Sequence, residues 1–415
     1  MKKVKYLILG AGISGLSFAS QIKTDDYIVL EKENEVGGLC RTHKIGEYVW
    51  DYAGHFFHFK NMDTKRYFEP ALTNGKCVKQ VKNTKIFYKG EYIDYPFQKN
   101  IHQLEKGEFI DCLYDLYFKE AKEDYTSFKD MLFGKFGKGI CDRFLVPYNE
   151  KLYACNLDTL DQNAMGRFFP YADLTDIIRN MKHGNNSSYN DTFIYPYEGA
   201  QTVIIYLMSK INANNIHLRE NVISVDTQNK IVKTDKEDYC FQYLINSIPF
   251  NQFNNLLGNE NQKMSWNKVL VFNIGFDKPS IDKSIHWIYY PEKDVNFYRV
   301  GFYNNILHHE KMSIYVELGF DKNERIDVEE QFKDTLENLK KCGVITDHNV
   351  IAYESILMDP AYVHISKESR EYMKGIKAML ESNNIYTIGR YGDWTYCSME
   401  DCFIQARLLA QKIGE

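Results

Sequence analysis

Hydrophobic positions along this chain follow three rhythms, and the rhythm changes in blocks. Residues 4–9 read VKYLIL, a short apolar run rich in branched residues, while LSFASQI at 16–22 has the spacing of an amphipathic helix. Together they predict a buried strand, a tight turn through 10–15 and a helix, and YIVL at 27–30 predicts a second buried strand. From 109 to 137 the chain reads FIDCLYDLYFKEAKEDYTSFKDMLFGKFG, with apolar and aromatic residues three and four apart, the mark of core-facing helices. Alternating patterns occupy 76–98 and 265–320, as in KVLVFNIGF and MSIYVELGF, and predict antiparallel strands. The segments VIIYLMSKI, IHLRENVISVD and YLINSIPF read as helix, strands and strand. The expected fold is α/β. Residues 1–75, 190–255 and 345–415 form one discontinuous strand-and-helix domain. Residues 100–185 are mainly helical, and 76–99 with 256–344 form an antiparallel sheet domain.

Length and composition narrow the field. At 415 residues the chain exceeds a single core, so two or three lobes sharing a cleft are expected. A net charge of −5 gives no basic field for nucleic acid or an anionic membrane. No apolar run approaches the ~18 residues of a membrane span. The nine cysteines are odd in number, dispersed and without a C-x-x-C pair, which argues for reduced thiols in a cytoplasmic protein and against a metal site. The 31 Tyr and 26 Phe accompany abundant Asn, Lys and Ile, so compositional bias accounts for most of them. Asn190-Asp191-Thr192 matches a glycosylation sequon, which has no meaning without a secretory route.

The first candidate site is the turn after the first strand, Gly10-Ala11-Gly12-Ile13-Ser14-Gly15. Gly10 permits the turn, Gly12 lets backbone approach a pyrophosphate at the start of the helix opened by Ile13 and Ser14, and Gly15 lets helix and strand pack closely. The second strand ends in Glu31-Lys32, about twenty residues on, where a carboxylate accepts hydrogen bonds from an adenosine ribose. This is a Rossmann-like dinucleotide-binding pattern. The following Gly37-Gly38-Leu39, with Arg41 after it, resembles the extended fingerprint of two-dinucleotide-domain flavoproteins. That resemblance implies FAD.

Further stretches resemble the UDP-galactopyranose mutase family, closest to its eukaryotic-type branch, within the superfamily of amine oxidases and protoporphyrinogen oxidases. They are WDYAGHFFHF at 50–59, YIDYPFQKNI at 92–101, LVPYNEKLYA at 145–154, YNDTFIYP at 189–196, YYPEKDVNFYR at 289–299 and GRYGDWTYCSMEDCFIQARLLAQKI at 389–413. The resemblance implies that Gly54 and His55 lie against the flavin, with His55 at its N5 edge. It implies that Tyr95, Phe97 and Gln98 hold a uracil, and that Asn149 and Tyr153 meet the uridine and ribose. Arg167, Asn190, Tyr289 and Tyr396 would meet the substrate, mainly its phosphates. Arg299 and Arg390 would face diphosphate and flavin, Gly389 and Met399 would line the cofactor, and the backbone of Val225 or a neighbour would meet its adenine.

The activity so implied is a ring contraction without net redox change. A nucleotide-diphosphate sugar is converted between pyranose and furanose through a reduced-flavin N5–sugar adduct, supplying furanose for surface polysaccharide. The implied partners are the nucleotide sugar and an external flavin reductant, and a homo-oligomer face on the helical segment stays open. Two departures stand out: Asn305-Ile306 replaces an asparagine–tyrosine pair, and Glu400 stands where an asparagine is common. Two other classes also stay open: an FAD-dependent oxidase or desaturase of the amine-oxidase type, and a non-catalytic nucleotide-sugar binder.

Overall fold

A computed structural model describes residues 1–73, 75–120, 122–184, 191–260 and 263–414. Strand Lys2–Leu9, whose last four residues are all buried, pairs in parallel with Tyr27–Leu30 on one side and with Asp238–Asn246 on the other. Short strands extend this sheet to seven: Ile216–His217 beyond Tyr27–Leu30, Ile231–Thr234 and Val222–Asp226 beyond Asp238–Asn246, and Ile385–Thr387, which also pairs with Asp238–Asn246. Helices Ile13–Ala19, Gln201–Met208 and Met399–Ile413 bury their apolar faces in one cluster with Tyr6, Ile8, Val29 and Ile245 of the sheet. Fully apolar strands with helices against them are what a parallel sheet requires. The fold is the expected α/β one, a Rossmann-like domain beside antiparallel sheet.

The second sheet has eight strands, in the order Val350–Met358, Ser265–Phe276, Ser313–Asp321, Arg299–Phe302, Trp287–Tyr289, Thr84–Tyr88 and Glu91–Asp94, with Val363–His364 paired to the start of Ser265–Phe276. Two of the expected boundaries shift here. Val350–Met358, assigned by sequence to the dinucleotide domain, pairs antiparallel along Ser265–Phe276, because its alternating burial suits the edge of an antiparallel sheet and not a parallel interior. Thr192–Pro196 likewise leaves that domain to pair with Cys77–Val81.

Helices Lys106–Tyr117, Phe128–Ile140, Val146–Tyr153 and Leu174–Lys182 make up the third part. Lys151 joins this part to the second sheet: its ammonium donates to the carbonyls of Tyr290, Glu292 and Phe297 at 3.0, 2.8 and 2.5 Å, all in the loop between Tyr289 and Arg299. No helix among the described residues is long and apolar enough to cross a membrane.

Candidate functional site

A cavity of about 900 Å³ runs from the carboxyl ends of the parallel strands to the second sheet. That is at the upper end of the usual ~300–1,000 Å³ for cofactor and ligand sites. At its first end Gly10 has φ +94°, and a Cβ there would meet the Ser247 hydroxyl at 2.9 Å, so only glycine turns the chain at this point. Gly12 caps helix Ile13–Ala19 without a side chain to satisfy its first N–H groups, which leaves them to the cavity. The second glycine loop lies against the first: Gly37 donates to the Ala11 carbonyl at 2.8 Å, and a Cβ on Gly38 would sit 3.3 Å from Gly12 Cα. Gly15 and Gly389 are not on the cavity wall; a Cβ on Gly15 would strike the Gly10 carbonyl, and one on Gly389 the Ser14 hydroxyl.

Glu31 lines this end with Lys32, and its carboxylate accepts from Ala11 N–H at 2.8 Å and from Glu33 N–H at 3.0 Å. It therefore ties the glycine turn to the end of its strand and presents its remaining lone pairs to the cavity. Ile13, Ser14, Gly38, Leu39, Arg41 and Met399 also line the wall. Arg41 is held by the Gly38 carbonyl at 2.9 Å and by Glu35 at 3.3 Å. Val225 is buried in its strand, and a bulge between Val222 and Ser224 leaves its neighbour Val222, with Glu220 and Asn221, on the wall.

At the other end Asp51, fully buried, accepts from the Thr42 hydroxyl at 2.6 Å, the Tyr195 hydroxyl at 2.9 Å and Ala200 N–H at 3.0 Å. Burial pushes its carboxyl up to about 7 against these donors. The anchored segment then delivers Gly54 and His55 to the cavity. A Cβ on Gly54 would lie 2.5 Å from the Tyr315 hydroxyl, so that ring and this backbone fit only because residue 54 is glycine. His55 Nδ1 lies 3.1 Å from the Ala53 carbonyl, which accepts only, so Nδ1 carries the proton and Nε2 presents a lone pair. Burial, with Arg390 and Arg299 nearby, brings its pKa down to about 4. His55 is neutral at physiological pH.

Arg299 and Arg390 both line the cavity, and each is already positioned by protein. Arg299 forks onto Glu317, with Nε at 3.0 Å from one carboxylate oxygen and Nη2 at 2.6 Å from the other. The two residues face each other across neighbouring strands, and Glu317 is 1% exposed. Arg390 donates from Nη1 to the Cys397 carbonyl at 3.3 Å and lies 4.4 Å over the Tyr396 ring and 5.2 Å over Tyr362; its buried Nε has no protein partner among the described residues. Tyr289 and Tyr95 pack with tilted rings at 5.0 Å near Arg299 without lining the cavity, and burial raises both hydroxyls, so both are donors.

The remaining sequence-derived candidates are arranged behind this wall. Tyr153 packs on Tyr362 at 5.8 Å, and Tyr362 on Tyr396 at 6.1 Å; the Tyr153 hydroxyl is buried without a partner among the described residues. Gln98 and Asn149 are buried, their amide nitrogens held by the carbonyls of Pro170 and Leu145, and their amide oxygens have no partner among the described residues. Phe97 departs from expectation: it is fully buried and stacked on Phe144 at 5.1 Å, a core ring with no face left for a base. Arg167 pairs with Asp401 and covers Phe168, which packs on Tyr396 at 5.2 Å. Asn190 lies outside the described residues.

Neither departure from the family pattern lines the cavity. Asn305 donates to the carbonyls of Asp282 and Ile285, and Ile306 is core. Glu400 accepts from Lys60 and Asn61 N–H at 3.0 and 2.9 Å, at the start of helix Met62–Leu72. Sequence reading missed Glu317, Tyr362 and Phe168. Glu317 had a signal, as the one charge within the apolar strand SIYVELGF.

Comparison with known proteins agrees with this fold. Residues 8–70 match the NAD(P)-binding Rossmann-like domain family. The whole chain superposes on a reduced UDP-galactopyranose mutase with TM-score 0.91 at 21% identity, covering 99% of this chain and 96% of that one. It superposes less closely on a protein assigned as a protoporphyrinogen oxidase from Exiguobacterium sp. 255-15 (TM-score 0.78, 16% identity, coverage 100% and 98%). It also matches cyclohexylamine oxidase from Brevibacterium oxydans IH-35A (TM-score 0.69, 11% identity, coverage 99% and 98%). At these identities the likeness establishes the fold.

Proposed function

We propose that this chain is a flavin-dependent mutase that interconverts the pyranose and furanose forms of a nucleotide-diphosphate sugar, UDP-galactose or a close relative, in the cytoplasm. The observation that carries this reading is that Arg299 and Arg390 line one cavity together with Tyr362, Tyr396 and neutral His55. An oxidase acting on an apolar amine has no use for two enclosed cations. A departing diphosphate has.

The glycine turns, Glu31, Arg41 and Met399 fit FAD. The two glycine loops form a cradle that a Cβ would fill, and Arg390 Nε is a buried donor without a protein acceptor. Bound and reduced by an external donor, FAD would supply the nucleophile for the anomeric carbon. Arg299 and Arg390, with Tyr289 and Tyr396, hold the diphosphate close by for the return step through charge-assisted and hydroxyl hydrogen bonds. Loss of one such donor costs ~2.7–4 kcal/mol in comparable sites. His55 Nε2 accepts a proton or a hydrogen bond at the reacting edge. Glu317 holds Arg299 in place through its bidentate contact. Tyr95, Gln98, Asn149 and Tyr153 serve the nucleoside side, and the unpaired amide oxygens of Gln98 and Asn149 suit a ligand N–H. Phe97 supports this set only through the core.

Titration of the FAD-loaded protein with UDP, followed by flavin absorbance, tests this. Saturable binding that Tyr95→Ala weakens supports the proposal. Failure to bind UDP, together with stoichiometric oxygen uptake on an amine, would replace it with the oxidase reading.

A further inference from the structure

Among the nine thiols, two stand in contact. Cys397 Sγ and Cys402 Sγ are 3.8 Å apart, 8% and 5% exposed, and both line the cavity. They flank the start of helix Met399–Ile413, which Ser398 caps in a reciprocal box with Asp401. Cys397 is the residue before the cap and Cys402 the fourth of the helix, positions where two apolar side chains often staple a helix start. A staple explains the contact but not the polar surroundings. Ser14 donates toward Cys402, and Arg390 stands beside it. Its thiol is brought down by the contact with Cys397, then by Ser14 and Arg390, against burial. Either sulfur can donate in this contact, so the two thiols share one proton site. Cys40, in the same cavity wall, has its Sγ 3.6 Å from the Met399 sulfur and not from a second thiol, and burial raises its thiol. Two thiols in contact on a cavity wall, one of them beside a hydroxyl and a guanidinium, are the arrangement of a redox-active pair.

We propose that Cys397 and Cys402 form an oxidisable dithiol in the cavity wall, which a peroxide converts to an intramolecular disulfide. The Cys402 thiolate attacks one peroxide oxygen, giving a sulfenic acid and, with a proton, water. Cys397, losing its proton, attacks that sulfur, closes the disulfide and releases a second water. Two thiols and one hydrogen peroxide become one disulfide and two waters. The sulfurs must close from 3.8 Å to ~2.05 Å. Cys402 is fixed in its helix, so most of that movement falls on the segment 393–397. This segment carries Tyr396 and the Cys397 carbonyl that holds Arg390. Closure therefore shifts two groups assigned above to the diphosphate; this consequence rests on the proposed function, and the disulfide itself does not.

The sequence supplies a clean readout. Trypsin cuts after Arg390 and Arg407, and the peptide between them, YGDWTYCSMEDCFIQAR, holds both cysteines and no other cleavage site. The FAD-loaded protein is treated with hydrogen peroxide, denatured, alkylated and digested. The expected peptide is two hydrogens lighter and takes no label, dithiothreitol restores both labels, and Cys402→Ser prevents the change. UDP affinity should fall ~10-fold or more on oxidation and recover on reduction, the loss of about one contact. Full labelling of both cysteines, while the half-buried Cys77, Cys155 or Cys240 react, would overturn the dithiol. A disulfide that forms with UDP affinity unchanged would overturn its coupling to the site. A protein that binds no UDP even when reduced would instead count against the function proposed above.

Discussion

The Arg299–Glu317 pair allows a prediction with an asymmetry built in. Glu317 is 1% exposed and Arg299 22%, so water can compensate the arginine through the cavity but cannot reach the glutamate. Arg299→Met strands a carboxylate inside the sheet, at a cost of ~3–5 kcal/mol for a broken buried pair. Glu317→Gln keeps one acceptor oxygen and strands only a partly hydrated guanidinium, at ~1–3 kcal/mol. The double variant removes both charges and should be more stable than Arg299→Met alone, since replacing a whole buried pair is often neutral. Thermal unfolding of the four proteins, all FAD-loaded and at one pH, gives the cycle. Additive losses, or a larger loss for Glu317→Gln than for Arg299→Met, would refute the reasoning. Turnover should be largely abolished in Arg299→Met and in the double variant, with FAD content retained; loss of FAD would show that Arg299 serves the cofactor instead.

Other predictions concern separate parts of the site. Tyr95→Ala should raise KM more than it lowers kcat, and an unchanged KM would remove this ring from the nucleoside side. Gly54→Ala drives a methyl into Tyr315, costing ~1–3 kcal/mol of overpacking and displacing His55, so turnover should fall more than stability does; full turnover would contradict the assigned fit. Lys151→Met leaves three carbonyls without their donor, and hydrogen exchange across 290–298 should accelerate while FAD stays bound; unchanged exchange would mean that the loop holds itself. His55, His286 and His364 each have a pKa lowered to about 4 by burial, below their unfolded value. Their contribution is therefore full above pH ~6.5 and lost as pH falls toward ~4, at most ~3 kcal/mol each. An unfolding midpoint that stays flat from pH 6.5 to 5 would contradict their neutral state.

The dinucleotide end was legible because its chemistry is local. Gly10, Gly12 and Glu31 act through backbone a few residues away or one strand over, and a strand–turn–helix pattern conveys that directly. The second sheet was less so. Val350–Met358 alternates like an antiparallel strand, but nothing local says which sheet it joins; that is settled by its pairing with Ser265–Phe276. Phe97 shows the limit at single residues. Its neighbours Tyr95 and Gln98 lie near unpaired polar groups or cavity residues, while its own ring turns to Phe144, because the short helical turn at 97–99 points successive side chains apart. Glu317 was visible as a lone charge in an apolar strand, yet its partner appears only when two strands are set in register.

The central claim is pyranose–furanose interconversion at this cavity. It is tested most directly by anaerobic incubation of the FAD-loaded protein with UDP-galactopyranose, with and without dithionite, followed by chromatographic separation of the two ring forms. Interconversion only in the reduced sample is the result expected. No furanose from a protein whose FAD is bound and reduced would contradict the assignment of this substrate.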